Sequence, residues 1–201
     1  MDKGLISIFG KNDIIVNGGV GVGKTTLTLA LLNEIAQEKS ILYYNPDGKV
    51  DRRLVEKYYK NVYSDVFFMV CPLKNFIEYI IENSHLFDIV VVDPGDILLL
   101  SKKLIHRLHE VMQTSRSRLI CTSQLRIDPN KGGKPYSTLE EFNKTSIKLN
   151  KHVFKCSIWI RNATAPNPVY KLKYVDIFDS YRVGNNYEER YIIKTMKGYV
   201  V

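Results

Sequence analysis

The chain has 201 residues, of which 45% are hydrophobic and 25% charged, proportions that fit one soluble globular domain with a sizeable core. Its formal charge of +8, from 29 basic and 21 acidic residues, favours polyanionic partners, because Lys and Arg displace the counterions condensed on a nucleic acid backbone. No signal-peptide pattern or membrane-length apolar run is present, and Cys71, Cys121 and Cys156 lack metal-ligand spacing and by their odd count argue against a disulfide framework, so a cytoplasmic protein with buried thiols and no membrane partner is expected.

Asp13–Val16 reads as a strand. It runs into Gly18-Gly19-Val20-Gly21-Val22-Gly23-Lys24-Thr25, a full match to the phosphate-loop pattern G-x-x-x-x-G-K-[ST]. Glycines let backbone N–H groups turn inward around phosphate oxygens with no Cβ in the way. A helix predicted over Thr25–Lys39 starts at the loop and aims its N-terminal dipole at the same anion. Lys24 is expected at the β- and γ-phosphates and the Thr25 hydroxyl on Mg²⁺, with Thr26 completing the nucleotide-binding set.

Ile41–Tyr44 is the second strand and leads into Asn45-Pro46-Asp47-Gly48. Asp47 there stands at a strand end beside the expected γ-phosphate, where an acid can orient an attacking water. The same Pro-Asp-Gly run is good turn chemistry, and spacing leaves both readings open. A helix follows over Asp51–Lys60, then a strand over Val66–Val70. In the next helix Leu73, Phe76, Ile77, Ile80 and Ile81 share one face. Ile89–Val92 is a fully apolar strand ending at Asp93, the expected carboxylate of the Mg²⁺ water shell; a plain helix cap is the alternative. Asp96 would cap a helix over Ile97–Ser115, with Leu104, Leu108, Val111 and Met112 facing inward and His106 and His109 at the surface. Arg118–Thr122 is the next strand. Such alternation predicts an α/β fold whose mostly parallel sheet is covered by helices.

Past Ser123 the pattern changes. Asp128 to Lys151 is polar, glycine-containing and rich in lysine. Val153–Ile160 and Val169–Val175 read as added C-terminal strands around an Ala165–Pro168 turn, and the stretch from Tyr181 is weakly patterned. No linker divides the chain, so residues 1–201 are expected to form a single domain.

In this order the residues resemble the RecA-like ATPase core shared by recombinases and DnaB-type helicases. The most specific element is Leu119-Ile120-Cys121-Thr122-Ser123-Gln124-Leu125-Arg126, which is similar to that family's strand ending in Gln-hydrophobic-Arg. The resemblance implies ATP and Mg²⁺ as cofactors, Asp47 as the catalytic acid, though family members usually carry Glu there, and Gln124 as the γ-phosphate sensor. It implies homo-oligomers, rings or filaments, with ATP at the subunit interface and a basic residue supplied in trans. Lys171, Lys173 and Arg182 are the candidates for that residue. Residues 128–151 then occupy the place of a DNA-binding loop, with Lys131, Lys134, Lys144 and Lys148 on the backbone and Tyr136 available for base stacking. The implied role is single-stranded DNA binding in recombination or annealing, as in compact phage or archaeal relatives. A ring-forming helicase or viral genome-packaging motor is the alternative on the same core. A nucleoside or nucleotide kinase has the weaker match, since the Ser123-Gln124 strand end is present and an Arg-rich lid is not, and a non-catalytic regulatory ATP-binding module is the reading that Asp47 in place of Glu would permit.

Overall fold

The computed structural model describes residues 6, 9, 13–18, 23–95, 102–124, 156–162, 172–179, 187–195 and 198–200, and beyond 124 its backbone only. The strands are β1 (Ile14–Gly18), β2 (Ile41–Tyr44), β3 (Val66–Met69), β4 (Ile89–Val92), β5 (Arg118–Gln124), β6 (Cys156–Asn162), β7 (Leu172–Asp179), β8 (Tyr187–Thr195) and β9 (Gly198–Val200). They form one sheet in the order β3-β2-β4-β5-β1-β6-β7-β8-β9. Neighbours from β3 through β6 run parallel, and β6 to β9 pair antiparallel. The helices are α1 (Lys24–Ile35), α2 (Arg52–Tyr58), α3 (Lys60–Asp65), α4 (Leu73–Asn83) and α5 (Lys102–Ser115).

The parallel strands are apolar at successive positions because both faces of the sheet are covered. Side chains alternate across the sheet with period 2, and the core divides accordingly. Ile14, Val16, Ile41, Tyr43, Ile89, Val91 and Ile120 pack under α1, α2 and α3. Ile15, Leu42, Tyr44, Val90, Val92, Leu119 and Cys121 pack on α4 and α5, where Phe76, Ile80, Ile105, Leu108 and Met112 are buried. Tyr44 stacks on Phe76 with ring centroids 3.9 Å apart, and its hydroxyl donates to the Cys71 carbonyl at 3.0 Å. Burial pushes the Tyr44 phenol up to about 12.

Two acids pin the starts of strands. The Asp88 carboxylate accepts from the Ser40 N–H at 2.8 Å and from its hydroxyl at 2.9 Å, joining the entries of β4 and β2. Asp13, buried before β1, accepts from the Leu119 N–H of β5 at 2.7 Å. His109 was expected at the surface; its Nε2 instead stands 3.6 Å from Asp13 Oδ2, with four fifths of the side chain covered.

Two further expectations are corrected. The helix expected over Asp51–Lys60 ends at Tyr58 and a second runs from Lys60 to Asp65, because Tyr59 leaves helical geometry (φ −134°, ψ 65°) and buries its ring. The stretch from Tyr181 holds β8 and β9. Tyr187–Thr195 carries four charged residues in an antiparallel ribbon, which hides its strand character from an apolar-run reading. The helix expected from Ile97 is described from Lys102 onward.

Candidate nucleotide site at the carboxyl edge of the sheet

In open parallel α/β sheets, ligands bind outside the carboxyl ends of the strands. Four such ends converge here. β1 ends at Gly18, which opens the phosphate-loop motif, and Gly18 pairs in register with Gln124 at the end of β5. β4 ends one residue before Asp93, and β2 leads through Asn45 to Asp47. The register therefore brings the expected sensor position beside the start of the expected phosphate loop. Residues 19–22 and the Gln124 side chain lie outside the described residues, as does Asp96.

Gly23 closes the motif in the left-handed region (φ 98°), which favours glycine, and its carbonyl accepts from the Leu27 N–H at 2.9 Å to start α1. Lys24, Thr25 and Thr26 follow as the first turn of α1, which carries no acidic side chain to compete with an anion at that end. The rest of α1 is anchored by Leu27, Leu31, Leu32 and Ile35 in the core, so the helix N-terminus stands on a rigid element.

Asp93 is buried, 5% exposed, and both of its oxygens are held by hydroxyls from flanking strands. The Tyr43 hydroxyl of β2 donates to Oδ2, and the Thr122 hydroxyl of β5 donates to Oδ1. Tyr43 and Thr122 continue the side-chain rows of Ile41 and Ile120, so they face the α1 side of the sheet, where the phosphate loop leads. Burial, and then the neighbouring Asp93 charge, push the Tyr43 phenol well above its ordinary value, so it stays a donor at any physiological pH. Behind Asp93 the chain turns through a cis Asp93–Pro94 bond to Gly95, whose N–H donates to the Thr122 carbonyl at 2.8 Å. A Cβ on Gly95 would stand 2.8 Å from that carbonyl oxygen and 2.9 Å from the Cys121 Cβ.

Asp47 is exposed, and its Oδ2 pairs with Lys49 Nζ at 2.8 Å. With the carboxamide of buried Asn45 turned so that its nitrogen faces the two acids, the orientation that satisfies every neighbour, Nδ2 donates to Asp47 Oδ1 at 2.7 Å and to the Asp93 carbonyl at 3.2 Å. Asn45 Oδ1 accepts from the Val50 N–H at 2.8 Å. Next to this turn lies a cavity of about 610 Å³ lined by Asn45, Val50, Val55, Tyr63, Phe68 and Val70. Tyr43, Asn45, Thr122 and Gly95 were all missed in the sequence. Gly95, within the Asp93-Pro94-Gly95-Asp96 run, and Asn45, before Pro46-Asp47-Gly48, left turn signals there and nothing more.

Thr25 and Asp93 supply oxygen donors only. That set suits Mg²⁺, which takes one or two protein oxygens and keeps waters and substrate phosphates as its other ligands. Among the described residues no cluster of three or more His, Cys, Asp or Glu side chains could hold a metal alone, and no helix is long and apolar enough to cross a membrane. Of the expected nucleic-acid and trans residues, Lys131, Lys134, Tyr136, Lys144, Lys148, Lys171 and Arg182 lie outside the described residues. The Lys173 backbone lies in β7 opposite Asn162, the carboxyl end of β6.

No protein-family model matches the sequence, and no curated protein does. Solved structures do. A KaiC-like protein from the hyperthermophilic archaeon Pyrococcus horikoshii OT3 superposes with a TM-score of 0.63 at 16% identity, over 94% of this chain and 88% of its own. The RadB recombinase superposes with a TM-score of 0.62, also at 16% identity, over 98% of this chain and 96% of its own. Taken with the sheet order and the sequence motif that starts at the last residue of β1, these superpositions identify the fold of this chain as RecA-like.

Proposed function

We propose that this chain binds ATP with Mg²⁺ and hydrolyses it, and that it acts on single-stranded DNA in recombination or annealing as a homo-oligomer. The observation that carries the reading is the convergence, at one sheet edge, of the Gly23–Thr26 helix start, buried Asp93, Asp47 and the Gln124 strand end. In this reading the loop backbone and Lys24 would hold the triphosphate, while Thr25 and Asp93 would hold Mg²⁺. Bound Mg²⁺ would neutralise charge on the phosphate oxygens. Asp47 accepts a hydrogen bond from the attacking water and orients it. The DNA assignment draws support from the +8 charge and from the recombinase among the structural neighbours. Lys131, Lys134, Lys144, Lys148 and Tyr136 would form the DNA contact, and Lys171, Lys173 or Arg182 would complete the ATP site of an adjoining subunit.

The test is ATP turnover with and without single-stranded DNA, with mass measured in each state. Stimulation by DNA and a shift to an oligomer are expected. Lys24→Ala should abolish tight ATP binding, because it removes the point charge placed at the β- and γ-phosphates; unchanged affinity would overturn the assignment of the loop. Turnover indifferent to DNA would instead support a kinase or a regulatory module.

A further inference from the structure

Asn45 links the two acids of the proposed site. In the amide orientation that satisfies all of its neighbours, one carboxamide spans three partners: its Nδ2 donates to Asp47 Oδ1 (2.7 Å) and to the Asp93 carbonyl (3.2 Å), and its Oδ1 accepts from the Val50 N–H (2.8 Å). A planar group with two donor hydrogens and an acceptor oxygen is required for this, and among side chains of that length only Asn offers it. The backbone of Asn45 is itself fixed, because its N–H donates to the Met69 carbonyl of β3 at 2.9 Å and its carbonyl accepts from the Gly48 N–H at 3.1 Å. The second partner of Asp47, Lys49, gives a long backbone N–H bond to Oδ1 at 3.4 Å and an ion pair from a side chain 81% exposed, so it holds the carboxylate only loosely. Asn45, 4% exposed, is the rigid support.

We propose that Asn45 is a positioning residue for ATP hydrolysis, holding the Asp47 carboxylate at a set distance from Asp93. The inference rests on the reading of Asp47 as the water-orienting acid. A water must be aligned with the phosphorus while the metal shell stays in place, so the two acids have to keep register with each other. Misplacement by about 1 Å can cost a hundredfold in rate. Asn45 supplies that register through one group bonded to both segments, which the exposed turn of residues 46–49 could not keep unaided.

The experiment separates the donor side of the amide from its acceptor side. Asn45→Asp keeps an oxygen for the Val50 N–H and the shape of the side chain, removes the amide's donated hydrogen bonds and, when ionised, sets a second negative charge beside Asp47, a cost that the melting curves read separately. Steady-state turnover and thermal melting are measured for wild type, Asn45→Asp, Asp47→Ala and the double variant. Asn45→Asp is expected to lower kcat by roughly ten- to a hundredfold, with KM for ATP within about twofold of wild type. The double variant should be no slower than Asp47→Ala alone, because the two residues act as one unit. If Asp47→Ala is inactive while Asn45→Asp turns over at the wild-type rate, Asn45 is only a turn support and the inference alone falls. Independent, multiplicative losses in the double variant overturn it too. If wild type does not hydrolyse ATP, or Asp47→Ala keeps full activity, the reading of Asp47 fails and takes the inference with it.

Discussion

Replacing Tyr43 by Phe removes one hydroxyl from a fully buried side chain and leaves its ring packing intact. Among the described residues no second group donates to Asp93 Oδ2. Tyr43→Phe is therefore expected to lower unfolding free energy by about 1–3 kcal/mol, measured by urea titration, and to raise the Mg²⁺ concentration needed for half-maximal turnover. Unchanged stability would mean that the Tyr43 hydroxyl does not hold Asp93. Gly95→Ala tests the other support. Its Cβ would meet β5 backbone at 2.8 Å, so the Asp93–Gly95 turn must lift away, at about 1–3 kcal/mol. A melting temperature within a degree or so of wild type would show that the turn yields freely. None of this was legible in the sequence, where Tyr43 and Thr122 each sit in an apolar run and read as core. Their contacts with Asp93 span 50 and 29 residues, and only the strand order brings them together.

The elements that were legible share a physical cause. β2 and β4 are apolar from end to end and bounded by polar or proline-containing turns, Ser40 and Asn45-Pro46 on one, Asp88 and Asp93-Pro94 on the other. The division between α2 and α3 was hidden because residues 52–65 contain neither Gly nor Pro, and the break serves the burial of Tyr59 in tertiary packing. The Ser40–Asp88 clasp carries a pH signature of its own. Burial raises the Asp88 carboxyl, but the Ser40 backbone and hydroxyl bonds, with the charges of Lys39 and Arg118, outweigh it and leave the value below normal. A depressed carboxylate stabilises the fold above its unfolded value and loses that contribution as the pH falls through the folded one. Asp88→Asn should thus melt below wild type near neutral pH and approach it in strong acid, checked by melting curves across that range. A constant gap would show that charge on Asp88 is irrelevant.

For the molecule as a whole, the proposed DNA contact is electrostatic and so depends on salt. Each phosphate neutralised contributes a slope of about −0.7 in log affinity against log salt for a single strand. Neutralising Lys131, Lys134, Lys144 and Lys148 together should flatten the measured slope by about 3. A slope that does not change would move the contact elsewhere on the surface. Gln124 offers a second test at this scale, since its backbone pairs with Gly18 where the proposed phosphate loop begins. If it senses the terminal phosphate, DNA affinity should differ between a non-hydrolysable triphosphate and diphosphate in wild type, and the difference should vanish in Gln124→Ala. Coupling of that kind is reciprocal, so DNA should tighten triphosphate binding by the same factor.

The place of β5 between β1 and β4 has a consequence for the rates at which backbone amides trade hydrogen with solvent. Ile120 and Cys121 are registered on both neighbours at once, whereas among the described strands Ser123 and Gln124 are registered on β1. Amides at the doubly flanked positions can exchange only when the whole sheet opens, and those at the tip only need β1 to part locally. Deuterium uptake should therefore be slowest around residues 120–121 and faster at 123–124. A ligand gripping the loop after Gly18 would tie down the β1 side of that tip, so its arrival should slow exchange at Ser123 and Gln124 while leaving the interior of β5 untouched.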